Sequence, residues 1–119
     1  MSLCDWIVAL FCLSAGVGII AFWAQRLAAR QVDLDQPLMR FHLAAEFVTG
    51  AVLTAAAVAT FVDARAPGTV ATVGLGLGLL VYASLQSPPF YPDDKRIRVT
   101  LWLTLVAAVA VFVFRVATL

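Results

Sequence analysis

The residues best suited to chemistry in this chain are His42, its only histidine, and Glu46, which stand four positions apart in the otherwise apolar stretch 41–50. On a helix this spacing places both side chains on one face, with Thr49 one turn further along. A carboxyl group beside an imidazole can hold a proton, accept hydrogen bonds or bind a cation. We therefore take His42 and Glu46 as the centre of the candidate site.

The rest of the sequence argues against several kinds of metal, cofactor and catalytic site. A zinc site takes about four ligands, and His42 with Glu46 supplies two, so a metal site would require a dimer. Bis-histidine haem needs a second histidine, and the only lysine, Lys95, lies in a predicted loop rather than in a helix that could hold retinal. Cys4 and Cys12 lie toward the opposite side and provide no nucleophile near His42. We predict no catalytic residue, no metal, no cofactor and no nucleic-acid partner; an enzyme using His42 as a general base is the weakest alternative.

The composition predicts what holds the pair in place. The chain has 119 residues, of which 63% are hydrophobic and 13% are charged, whereas a soluble domain carries about 25% charged residues. A membrane-spanning helix needs roughly 20 apolar residues, and four such segments are present, at about 3–24, 38–62, 67–86 and 97–117. Long runs without alternation argue against a transmembrane barrel. We predict an all-α, antiparallel four-helix membrane bundle that forms a single domain over residues 1–119.

Basic residues predict the orientation. Arg26, Arg30 and Arg40 flank the first loop, and Lys95, Arg96 and Arg98 follow the third; the opposite side holds only Arg65 and Arg115. Because loops rich in Lys and Arg stay in the cytoplasm, we predict cytoplasmic first and third loops, with both termini outside the inner (plasma) membrane. No basic segment precedes the first apolar run, so we expect it to remain as a helix rather than to be a cleaved signal.

Depth in the membrane suggests partners for Glu46. At 1.5 Å per residue Glu46 lies about 9 Å deeper than Arg40, at the level expected for Tyr82 and Thr104, while Gln86 lies nearer the surface. The outer half offers only isolated hydroxyls, and a through-pore would be polar in both halves. These positions predict a half-depth pocket open to the cytoplasm. The alternative is purely structural: Tyr82, His42 or a basic side chain, Arg96 or Arg98, holds Glu46 and joins the helices.

Small residues predict helix contacts. Ser14 with Gly18, and Gly74 with Gly78, form small-xxx-small pairs that let helices approach closely. The second helix is almost wholly small after Gly50, which predicts a central position, while the fourth is the most lipid-like and is expected on the outside. Three of the five prolines fall between residues 88 and 92, which predicts a stiff third loop.

Two motifs carry a family resemblance. The stretch FHLAAEFVTG on the second helix and YASLQSPPFY closing the third resemble a family of small bacterial four-helix membrane proteins of uncharacterised function. The matching positions in this sequence are His42, Glu46, Thr49, Tyr82, Ser87, Pro88 and Tyr91. The chain departs from the pattern at Pro89-Phe90, and the resemblance implies no activity. Small multidrug transporters have a similar length and one intramembrane glutamate, but theirs lies on the first helix, so they are only an analogy.

These observations lead to two functional hypotheses. The first is a pocket that binds or transports a cationic or amphipathic small molecule, or a lipid headgroup, coupled to protonation of Glu46. Its lining would come from helices two to four (Glu46, His42, Tyr82, Thr49, Thr104 and Gln86). The second is a non-catalytic structural or assembly subunit of a membrane complex. In both, the bilayer is a partner and the chain is expected to form a homo-oligomer or join a membrane complex.

Overall fold

The computed structural model describes residues 1–119 and contains only helices. The four long helices are α1 (Leu3–Ala28), α2 (Pro37–Asp63), α3 (Pro67–Gln86) and α4 (Lys95–Ala117), and a 3₁₀ turn, Pro88–Phe90, precedes α4. All four are long and apolar enough to cross a membrane. The predicted all-α architecture with four such helices is confirmed, and α1 extends four residues beyond its predicted end.

Local chemistry explains where the helices begin. Ser2 and Asp5 form a reciprocal capping box at the start of α1, which satisfies backbone N–H groups that have no partner within the helix. Pro37 and Pro67 are the first residues of α2 and α3, the position where proline's missing N–H costs nothing. Asp94 caps α4 by accepting a hydrogen bond from the Ile97 N–H at 3.1 Å.

Contacts at the two ends of the bundle establish an up-and-down arrangement. At one end, called the Asp5 end, Arg115 of α4 donates hydrogen bonds to Asp5 of α1 and to the carbonyl oxygen of Ala64, the residue that follows α2. At the other, the Trp23 end, Trp23 of α1 packs with Leu43 of α2 and Tyr91 of the third loop. Consecutive helices are therefore antiparallel, and the bundle measures 43 × 23 × 19 Å.

Glycine allows α1 and α2 to cross closely. A Cβ atom on Gly16 would lie 2.6 Å from the Thr54 hydroxyl and 2.8 Å from the Gly50 carbonyl oxygen. Ser14 and Gly18 do not form the predicted close helix contact within this chain, because a Cβ on Gly18 would have nothing within 4 Å. Two residues correspond to about 200° of helix rotation, so Gly18 faces away from the crossing that Gly16 makes.

The core lies toward the Asp5 end and leaves α4 at the edge. Its central members come mainly from the first three helices and are all buried: Val8, Cys12, Leu53, Ala56, Ala57, Val73, Leu77, Leu80 and Ala108. Only Ala108 and Arg115 of α4 are buried, which confirms the predicted outer position of this helix. Of the small residues of α2, Gly50, Ala56 and Ala57 are buried as the sequence predicted, whereas Ala51 and Ala55 are exposed.

Candidate functional site

Glu46 is buried at the Trp23 end, with 6% of its surface exposed. Its Oε1 atom lies 3.1 Å from the Ser87 hydroxyl, which is also 2.6 Å from the Ala83 carbonyl oxygen. A serine hydroxyl carries a single hydrogen, so it can donate to only one of these two acceptors at a time. When Ser87 donates to Ala83, its oxygen is free to accept a hydrogen bond from a protonated Glu46; when Glu46 is ionised, the hydroxyl can donate to the carboxylate instead.

His42 is beside Glu46 but not bonded to it. The Nε2 atom lies 3.7 Å from Glu46 Oε1, beyond hydrogen-bond length, and this buried nitrogen has no hydrogen-bond partner. The imidazole stacks on Phe90, with ring centres 4.1 Å apart, and meets the Trp23 ring edge-on at 5.5 Å. His42 is thus held by aromatic packing while one nitrogen remains close to the carboxyl group.

A cavity of about 710 Å³ opens between α1, α3 and α4, and Glu46 is the only residue of α2 in its wall. The volume is in the range of sites that take small molecules. Most of its polar groups lie toward the Trp23 end, where they come from three helices and the third loop: Glu46, Ser84, Ser87, Tyr91, Arg96, Thr100 and Thr104. Toward the Asp5 end the wall is apolar apart from Ser14, with Phe11, Ala15 and Ala107. The cavity is therefore polar at one end and apolar at the other.

The cavity exists because α1 and α4 separate away from the Asp5 end. The only side-chain hydrogen bond between these helices is the 2.8 Å bond from Arg115 to Asp5. Gly18 lies on the cavity wall with open space beside it. The two helices thus meet at one end and leave a gap toward the other.

Tyr91, in the third loop, lines the polar end of the cavity. Its side chain is buried, and this burial raises the pKa of Tyr91 to about 12, with the nearby positive charge of Arg26 partly opposing the effect. The Arg26 guanidinium lies 5.7 Å from the centre of the Tyr91 ring. At neutral pH the residue therefore presents a neutral phenol beside Glu46.

The structure brings together only part of the predicted site. Glu46 and Thr104 line the cavity. His42 is next to Glu46 but is not part of the cavity wall. Thr49 is buried and donates a hydrogen bond to the Ala45 carbonyl oxygen at 2.8 Å. Placing Tyr82 in the pocket is wrong, since its side chain is 61% exposed. Tyr82 and Ser87 are five residues apart, which turns them to nearly opposite faces of α3.

Other predicted partners of Glu46 are also corrected. Gln86 is exposed and absent from the cavity wall, because it is rotated about 100° from Ser87 on the helix. Neither Arg96 nor Arg98 forms an ion pair with Glu46. Ser87 does form a hydrogen bond with Glu46. From the sequence it was named only as a position of the family resemblance. A usable signal was the i, i+3 spacing of Ser84 and Ser87, which places two hydroxyls on one face.

A second polar cluster, at the Asp5 end, was not predicted from the sequence. Asp5 and Arg115 are both buried and bond at 2.8 Å, and the half-exposed Arg65 approaches Asp5 at 3.5 Å. The antiparallel order of α1 and α4 places Asp5 and Arg115 at the same level, which is the signal that could have identified the pair. This cluster lies away from the cavity and joins α1 to α4.

Comparison with known families gives a match over nearly the whole chain. Residues 3–119 match the model of a family described as "Domain of unknown function (DUF8058)". The chain belongs to this family. This match confirms the prediction that the chain belongs to an uncharacterised family. The bacterial origin and the two sequence motifs stay predictions. Searches of curated proteins and of solved structures gave no match.

Proposed function

We propose that this DUF8058 protein binds a cationic or amphipathic small molecule in the cavity between α1 and α4, with the polar head of the ligand at Glu46. The observation that carries the proposal is a buried carboxyl group in the wall of a largely apolar cavity. A carboxyl group in a bilayer costs a few kcal/mol, so it is treated as functional by default. We place the protein in the inner (plasma) membrane with its first and third loops in the cytoplasm, so that the polar end of the cavity faces that side.

The hydroxyl groups near Glu46 support a ligand that donates hydrogen bonds. Thr100 and Thr104 each donate to a carbonyl oxygen of their own helix at 2.8 Å. Their hydrogens are therefore used, and their oxygens are left as acceptors toward the cavity. An ammonium group is a donor with no acceptor capacity, so it matches this lining and the Glu46 carboxylate together.

The proposal extends to proton exchange. A cation binds the ionised carboxylate best, so binding to a protonated Glu46 releases its proton to water, and rebinding of a proton expels the cation. The Ser87 hydroxyl can serve both states, because it can accept from the acid or donate to the carboxylate. Cation affinity should consequently fall as the pH is lowered.

The test compares dodecylamine with dodecanol on the purified protein in detergent. We expect dodecylamine to bind with higher affinity than dodecanol and to release protons in weakly buffered solution. Glu46→Gln should weaken dodecylamine binding by about 10- to 100-fold, the equivalent of losing a hydrogen bond to a charged group, and should leave dodecanol binding nearly unchanged.

Asp63→Asn is the matched control, because Asp63 is an exposed carboxylate at the end of the same helix. Equal affinities for the amine and the alcohol, or the same loss in Asp63→Asn as in Glu46→Gln, would contradict the proposal. Thermal unfolding without ligand shows whether each variant remains folded.

A second candidate function is that of a structural subunit of a homo-oligomer or membrane complex. The observation that favours it is the outward face of α3: Ala71 is exposed, and a Cβ atom on Gly74 or Gly78 would have nothing within 4 Å. Small residues of this kind allow another helix to approach closely. If this face carries the function, Gly74→Leu should dissociate the oligomer measured by light scattering, and Glu46→Leu should have no effect on assembly.

A further inference from the structure

The cavity wall carries two charged side chains of opposite sign. Glu46 is its only acidic residue and Arg96 its only basic residue, and the two form no ion pair with each other. Glu46 is buried, whereas Arg96 is exposed in the first turn of α4, at the rim. A simple ammonium ligand would satisfy Glu46 and leave Arg96 without a partner.

A zwitterion matches both charges. A headgroup that carries an ammonium and a phosphate offers a counter-charge to each of these two side chains. Guanidinium groups bind phosphate with charge-assisted hydrogen bonds. The position of Arg96 next to the third loop corresponds to the level at which lipid phosphates lie when α4 spans a bilayer.

The shape of the cavity indicates how an attached chain would lie. Beyond the polar end, Phe11, Ala15 and Ala107 provide an apolar wall, and the gap between α1 and α4 is open beside Gly18. A cavity of about 710 Å³ takes a headgroup with one chain. Any second chain would pass through the gap and stay in the bilayer.

Building on the proposed function, we propose that the occupant is a membrane phospholipid with a primary-amine headgroup. Its ammonium contacts Glu46, its phosphate contacts Arg96, and one hydrocarbon chain fills the apolar end of the cavity. The ligand therefore reaches the site from the membrane rather than from water.

The test measures binding of four probes to the purified protein in detergent: lysophosphatidylethanolamine, lysophosphatidylcholine, phosphoethanolamine without a chain, and dodecylamine. We expect lysophosphatidylethanolamine to bind more tightly than lysophosphatidylcholine, whose quaternary ammonium cannot donate hydrogen bonds. Phosphoethanolamine should bind at least about tenfold more weakly than the lysolipid, since it lacks the chain.

Variants separate the two charges. Arg96→Gln should weaken lysophosphatidylethanolamine binding by about tenfold and leave dodecylamine binding unchanged, while Glu46→Gln should weaken both. Arg98→Gln is the control, because Arg98 is exposed in the same turn region but does not line the cavity. Arg96 is itself exposed, so its replacement leaves the core intact.

The outcomes distinguish this inference from the proposal on which it rests. If Arg96→Gln binds the lysolipid as well as the wild type does, or if chain-free phosphoethanolamine binds equally well, the lipid assignment is overturned even when dodecylamine still depends on Glu46. If no amine probe depends on Glu46, the proposed function itself fails.

Discussion

Replacing Asp5 with Asn should lower the free energy of unfolding by about 3 kcal/mol. The Asp5 carboxylate is the only side-chain hydrogen-bond acceptor that Arg115 has on α1, at 2.8 Å, and both residues are buried. Removing the charge of Asp5 leaves the guanidinium of Arg115 buried without a counter-ion, a change that typically costs about 3–5 kcal/mol. We expect the lower end, because an asparagine oxygen still accepts a hydrogen bond and Ala64 continues to bind Arg115.

Arg65→Gln provides the matched control. Arg65 lies 3.5 Å from the same carboxylate, but its side chain is 47% exposed, and exposed ion pairs contribute about 0–1 kcal/mol. Unfolding of each variant by sodium dodecyl sulfate in mixed micelles, followed by helical circular dichroism, gives the free energies. The double variant Asp5→Leu with Arg115→Met should recover most of the loss, since apolar replacements of a buried pair are often neutral or stabilising. If Asp5→Asn costs no more than Arg65→Gln, the pair does not hold α1 to α4.

Three further predictions concern the cavity and the helix crossing. Gly18→Leu should reduce dodecylamine affinity by about tenfold by filling the cavity. Gly68→Leu, at an open position of α3 outside the cavity, should leave affinity unchanged; isothermal titration calorimetry on both decides this. Gly16→Ala should lower the free energy of unfolding by about 2 kcal/mol, because its Cβ would lie 2.6 Å from the Thr54 hydroxyl. Gly18→Ala should leave the free energy of unfolding unchanged. An equal loss in the two variants would contradict a crossing of α1 and α2 at Gly16. Because burial raises the pKa of Tyr91 from 10.0 to about 12, its contribution to stability should be complete below pH 10 and should fall by about 3 kcal/mol as the pH rises from 10 through 12. Unfolding measured against pH in a Tyr82→Phe background tests this: replacing Tyr91 with Phe as well should remove about that much of the decline, and an equal decline with and without Tyr91 would refute it.

The helices were predictable from the sequence because hydropathy and end signals agree. Runs of about 20 apolar residues specify helices long enough to span a membrane, and the prolines at positions 37 and 67 mark where two of them begin. The short connections between these runs require antiparallel neighbours. The apolar run stops at residue 24, which set the predicted end of α1, but residues 25–28 (Gln, Arg, Leu and Ala) are suited to a helix and continue it.

The rotation of each helix about its axis was not predictable. A helix that is apolar on all sides carries no strong periodic signal for its buried face, so depth alone placed Tyr82 beside Glu46. The contacts of α3 instead turn Ser87 inward and leave Tyr82 exposed. The same ambiguity favoured Ser14 and Gly18 as a crossing when the close approach occurs at Gly16 and Gly50.

The sequence predicted a buried Glu46 with His42 beside it, but not most of the residues that line the cavity. The cost of burying a carboxyl group made Glu46 conspicuous, and the i, i+4 spacing placed His42 beside it. The cavity arises from the separation of α1 and α4, helices far apart in the sequence, and no local pattern encodes a gap between them. Trp23, Ser87 and Tyr91 join the site only through this packing.

The most direct measurement of the central claim is a crystal structure with 12-bromododecylamine bound, in which anomalous scattering locates the bromine. We predict an amine nitrogen within hydrogen-bond distance of Glu46 and a bromine peak among the apolar residues between α1 and α4. A closed gap between these helices, with Glu46 bonded only to Ser87 and the bromine elsewhere, would contradict it.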